Sequence, residues 1–145
     1  MLTKTEQALG LFKQGFSCSQ AVLAVCAEDF GLARDTALRI SQAFGGGIAR
    51  TADWCGAVTG AFMVIGLKHG RVRADDSAAR DATYALVREF VRRFTDRHGA
   101  FRCRDLLGCD IGTPEGAKYA DDHHLHEIRC ERLITDAVDI LDALL

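Results

Sequence analysis

Apolar positions in this chain recur at three- and four-residue intervals and nowhere alternate, the pattern of helices that bury one face. Leu9 and Phe12 share a face of a first helix over about residues 4–14, opened by a Thr3/Glu6 capping box and stopped by Gly15. Ser17 and Gln20 form a second capping box, after which Ala21, Val22, Val25 and Cys26 recur at helical spacing as far as Gly31. Cys18 then takes the first helical position. A third, shorter helix follows Asp35, carries Ala37, Ile40, Ser41 and Phe44 on one side, and ends in the glycines at 45–47.

The stretch "GGGIARTADWCGAVTGAF" opens a fourth helix, with Thr51 or Asp53 as its cap, Cys55 in its first turn and a left-handed Gly70 at its end. Gly56 and Gly60 share a face there, a spacing that lets another helix approach closely. Asp75 or Asp76 opens a long fifth helix whose stripe is Thr83, Val87, Phe90, Val91 and Phe94, with His98 and Gly99 at its end. One short helical turn lies in "FRCRDLLG", Thr113 and Pro114 start another helix, and a last one begins near Cys130 with Leu133, Ile134, Ala137, Val138, Leu141 and Leu144 inward. The pattern predicts an all-α, single-domain bundle of about six or seven helices over residues 1–145.

Composition agrees: 48% hydrophobic and 26% charged residues with a single proline describe an ordinary folded helical domain. The longest uncharged run, residues 54–67, falls short of the ~20 residues that span a bilayer, so no membrane partner is expected. Charges at Lys4, Glu6 and Lys13 interrupt the apolar core a signal peptide needs, which reads as a cytoplasmic protein. Net charge is only −2, yet residues 68–104 hold ten basic against five acidic side chains and residues 105–145 hold three against ten. Helix five and the C-terminal helices therefore face each other, or alternate in a homodimer. Acids interspersed in the basic segment argue against nucleic acid.

Six cysteines change the picture, because a reducing compartment leaves metal binding, redox chemistry or core packing to account for them. Cys18, Cys55 and Cys130 fall at predicted helix starts and Cys103 near the start of a short one, where unpaired N–H groups stabilise a thiolate. Arg102 and Arg104 flank Cys103 and push in the same direction. Cys26 is mid-helix on the apolar face and reads as packing; Cys109 follows Gly108 in a loop.

The ordered set "FSCSQAV", "AFGGGIAR", "WCGAVTGA", "CRDLLG", "GTPEG" and "RCERLITDAVDIL" resembles the C_GCAxxG_C_C family of small bacterial redox-active proteins over essentially the whole chain. The four defining cysteines of that family match Cys18, Cys55, Cys103 and Cys130; Glu131 stands where proline commonly follows the fourth. The resemblance implies a redox role without naming a substrate or a redox partner.

Two chemistries use these four residues. In the first, helix-start cysteines exchange dithiol and disulfide states with an unknown redox partner, Cys55 attacking because its glycine neighbours leave the sulfur accessible. No Cys-x-x-Cys pair is present, so a thioredoxin-like site is excluded. In the second, Cys18, Cys55, Cys103 and Cys130 ligate zinc or an iron–sulfur cluster, with His126 a further candidate ligand four residues before Cys130. A helical interaction module without catalysis is a third reading. If the helix starts serve one site, at least two of the four sulfurs meet while Cys26 packs among aliphatic side chains.

Overall fold

Both capping boxes form. Thr3 opens α1 (Lys4–Lys13) and Ser17 opens α2 (Cys18–Ala27), each hydroxyl accepting from the amide three residues on while Glu6 or Gln20 accepts from the cap's own N–H. The computed structural model describes all residues 1–145 and continues with α3 (Arg34–Ser41), α4 (Gly56–His69), α5 (Ser77–His98), α6 (Cys103–Leu107), α7 (Pro114–Asp122) and α8 (Glu131–Leu144). Eight helices replace the six or seven expected, because the short turn at 103–107 closes as a helix of its own.

Helix α2 has almost no polar side, and eight of its ten residues are buried, so it lies at the centre of the molecule. The equally apolar α4 runs against it; α1, α3 and α8 pack on α2, while α5 covers α4 and α8. Phe62, Phe90 and Phe94 form an aromatic column in this core, with ring centroids 6.2 and 5.9 Å apart. Arg97 and His98 of α5 reach Asp136 of α8 at 3.3 and 2.7 Å, so the basic and acidic segments do face each other within one chain.

The α2–α4 approach depends on glycine. A Cβ on Gly60 would stand 2.9 Å from the Ser19 carbonyl oxygen, which belongs to the backbone and cannot swing aside. Gly60→Ala is therefore expected to cost about 1–3 kcal/mol of overpacking, more than the helix propensity it gains. Urea denaturation checks this; an unchanged midpoint would mean that the two helices separate freely.

Two helix boundaries differ from expectation, and both position cysteines. Helix α3 passes through a 3-10 turn at Gln42–Phe44, after which Gly46, Gly47, Ile48, Ala49 and Arg50 all have positive φ, between 50° and 70°. Three consecutive non-glycine residues in a left-handed turn cost roughly 1–2 kcal/mol each. The turn holds because Ala49 N donates to Ala43 O at 2.8 Å, Asp53 N to Gly47 O at 2.8 Å, and Thr51 Oγ1 to Ile48 O at 2.7 Å. Thr51 and Asp53 are thus engaged elsewhere and do not cap α4; Cys55 occupies the cap position, and no side chain caps the helix. At the far end Gly70 is extended, with φ −60°, rather than left-handed.

The second difference is at Cys130. It does not begin a helix: a π-helical turn, His126–Cys130, runs straight into α8. A π turn widens the helix and turns its side chains out of α-helical register, a feature that recurs at functional sites.

Candidate functional site

The left-handed turn is laid across the start of α2. A Cβ on Gly45 would meet Ser17 Cβ at 2.6 Å, and Gly46 lines the same cleft wall as Cys18. Residues 51–55 are in turn tied to 101–104, with Cys103 N donating to Asp53 O at 2.7 Å, Cys55 N to Phe101 O at 2.9 Å and Arg104 Nε to Ala52 O at 3.0 Å. Gly47 lies flat on Cys103, where a Cβ would fall 2.7 Å from the cysteine's own Cβ. Cys18 and Cys103 are thereby held on two sides of one strained segment. The π turn brings Cys130 to the same place from α8.

These three cysteines and His126 line an open cleft of about 1100 Å³, whose apolar walls include Phe12, Phe16, Leu107 and Ile111. Cys130, then the N–H groups of Cys18, Gly46 and Ser19, outweigh burial and hold the Cys18 thiol below its ordinary value. Cys130 is shifted the opposite way, by Cys18 first and then by burial. Of this pair, Cys18 is the one whose surroundings favour the thiolate. Beyond it, His126 Nδ1 lies 3.7 Å from Cys130 Sγ and His126 Nε2 lies 3.9 Å from Asp121 Oδ1.

Cys55 stands elsewhere. It is 3% exposed and belongs to the main core, behind the cleft rather than lining it. Burial, and then the negative charge of neighbouring Cys18, push its thiol up. The expected accessible, acidic Cys55 is corrected on both counts: the glycines around it serve close helix contact, which shuts solvent out. Cys103 is pushed up to about 12, burial and Cys18 outweighing the positive charge of Arg50; Arg102 pairs with Asp53, and Arg104 with backbone carbonyls. Cys26 packs in the core as expected, and Cys109 is half-buried beside the smaller cluster around Cys103, Leu107 and Cys130. No three His, Cys, Asp or Glu side chains are arranged to hold one metal ion.

The family described as "Putative redox-active protein (C_GCAxxG_C_C)" matches residues 16–144. The chain belongs to that family. No curated protein and no solved structure matches it. The matched span opens just before Cys18 and contains every residue of the cleft beyond Phe12, Lys13, Gln14 and Gly15. The family's four cysteines divide here into three that face the cleft and one that supports it from behind. Sequence spacing already paired His126 with Cys130. Arg50 and the left-handed turn had only the glycine run "GGG" as a signal, since positive φ at Ile48, Ala49 and Arg50 violates residue preference.

Proposed function

We propose that this member of a redox-active family works by dithiol–disulfide exchange, with Cys18 as the attacking thiolate and Cys130 as the resolving thiol. The observation that carries the reading is that Cys18 and Cys130 line the same open cleft, each the strongest influence on the other's ionisation. The Cys18 thiolate attacks one sulfur of a disulfide R–S–S–R′, forming Cys18–S–S–R and releasing R′–S⁻. Cys130 then gives its proton to His126 Nδ1 and attacks the Cys18 sulfur. The Cys18–Cys130 disulfide forms, R–S⁻ leaves, and it takes up the proton; two thiols have lost two electrons and the substrate disulfide has gained them. Asp121, near Nε2, favours the tautomer in which Nδ1 is the free acceptor.

Mass mapping after treatment with a small disulfide tests this reading. A Cys18–Cys130 bridge is expected in the wild type, and Cys130→Ser, which keeps a proton donor beside Cys18, should trap the mixed disulfide on Cys18. A bridge between other cysteines overturns the assignment. Zinc or iron in stoichiometric amount after reducing purification would favour thiolate ligation instead.

The proton step has its own signature. His126→Gln is expected to slow closure of the Cys18–Cys130 bridge by about 10- to 100-fold at neutral pH, the deficit shrinking as rising pH ionises Cys130 without help. A closure rate that falls equally at every pH would limit His126 to packing.

A further inference from the structure

The cleft's ionic groups are not equivalent. Lys13 pairs with Glu131 at 3.5 Å across the mouth, so each offsets the other. Arg50 also lines the cleft and makes no ion pair with any carboxylate, and its side chain has no hydrogen-bond partner. Glu127, next to His126 on the opposite element, is the unpaired acid. The two charges stand on different elements: Glu127 is on the π turn that carries Cys130, and Arg50 is on the left-handed turn laid against Cys18 and Cys103. A Cβ on Gly46 would lie 2.9 Å from Arg50 Cα and 2.7 Å from its Cγ, and Gly46 lines the cleft together with Cys18 and Cys103. Arg50 thus packs on a residue of the same wall as the attacking thiol, and its positive charge acts on Cys103. An arginine with φ 60° sits in a backbone conformation this residue type rarely takes, yet here the left-handed turn places it in the wall of the cleft.

We propose that Arg50 receives the carboxylate of a small anionic disulfide substrate, so that one substrate sulfur is presented to Cys18. The proposal rests on the assignment of Cys18 as the attacking thiol and adds the class of molecule it attacks. A guanidinium binds a carboxylate through two parallel N–H donors, which fixes orientation as well as position. The cleft is large enough for both halves of a small disulfide, and Phe12, Phe16, Leu107 and Ile111 give its uncharged portions an apolar wall. The chemistry is the two-step exchange already written: the substrate's S–S bond breaks, Cys18 and Cys130 are oxidised, and two small anionic thiols leave.

Stopped-flow rates of three probes test this: dianionic 5,5′-dithiobis(2-nitrobenzoate), neutral 4,4′-dithiodipyridine and dicationic cystamine, each normalised to the rate of a free small-molecule thiol. The normalised rate is expected to be highest for the anionic probe. Arg50→Gln should reduce the anionic-to-neutral ratio about tenfold and Arg50→Lys less, while added salt should erode the wild-type preference. Arg39→Gln, on the exposed face of α3 outside the cleft, should leave the ratio unchanged. An Arg50→Gln ratio equal to wild type, or cystamine as the preferred probe, overturns the proposal while leaving the cysteine assignment intact. A neutral probe that modifies a cysteine other than Cys18 overturns both.

Discussion

Alkylation of the reduced protein near neutral pH labels Cys18 first, and Cys18→Ser removes that phase. The expected loss in the fastest labelling rate is about 10- to 100-fold, because a thiol with a pKa near 9 is only about one per cent thiolate at pH 7 and a lowered one carries correspondingly more. The asymmetry comes from geometry. Cys130 and three backbone N–H groups hold the Cys18 thiol down, whereas Cys26, Cys55, Cys103, Cys109 and Cys130 are all shifted upward, the first four chiefly by burial. No second thiol is available to replace it. Cys130→Ser should slow labelling only moderately, since a serine hydroxyl still donates to the thiolate. Peptide mapping after brief iodoacetamide treatment reads both results. Cys55 or Cys109 as the first labelled residue would show that Cys18 is not the favoured thiolate.

Alkaline pH is expected to undermine the fold of the reduced protein. Burial raises Cys26 from 9.0 to about 11 and Cys103 from 9.0 to about 12, so in the folded state both remain protonated where the unfolded chain has ionised. Raised acidic groups contribute stability that is fully present below the unfolded value and is lost as pH climbs toward the folded one. Each thiol then removes about 1.4 kcal/mol per pH unit, or together roughly 5 kcal/mol between pH 9 and 11. Cys55 and Cys130 act in the same direction. Cys18 acts oppositely: its lowered value contributes stability above pH 9.0, which is lost as pH falls through its folded value. Urea denaturation in reductant at pH 8, 9 and 10 measures the slope, and Cys26→Ala should lessen it by about 1.4 kcal/mol per unit. A stability flat from pH 9 to 10 would mean that these thiols reach solvent without unfolding.

Helix existence was legible in the chain because caps and apolar periodicity are local. Thr3/Glu6, Ser17/Gln20, Asp76 and Thr113–Pro114 each open the helix they announce, and the stripes of α5 and α8 bury Phe90, Phe94, Leu133, Ile134, Ala137, Val138 and Leu141. The four cysteines were legible as a set through their order and spacing. Their roles were not, because a thiol's ionisation depends on what surrounds the sulfur, and those neighbours come from distant parts of the chain. At Cys55 the local dipole argument fails since α2 packs over the helix start and desolvation dominates. At Cys18 it holds because Gly46 and Cys130, 28 and 112 residues away, both lower the thiol against burial. Propensity also misleads at Ile48, Ala49 and Arg50, whose left-handed backbone exists only because hydrogen bonds to 43–48 and the 51–55/101–104 ties hold it. By itself the sequence determined the helices, their buried faces and the identity of the candidate thiols, all of which follow from nearest-neighbour chemistry. Only the tertiary structure decided which thiol is favoured as the anion, which stay buried and which cation stands in the same cleft, because those outcomes depend on long-range packing that desolvates one sulfur and brings polar groups to another.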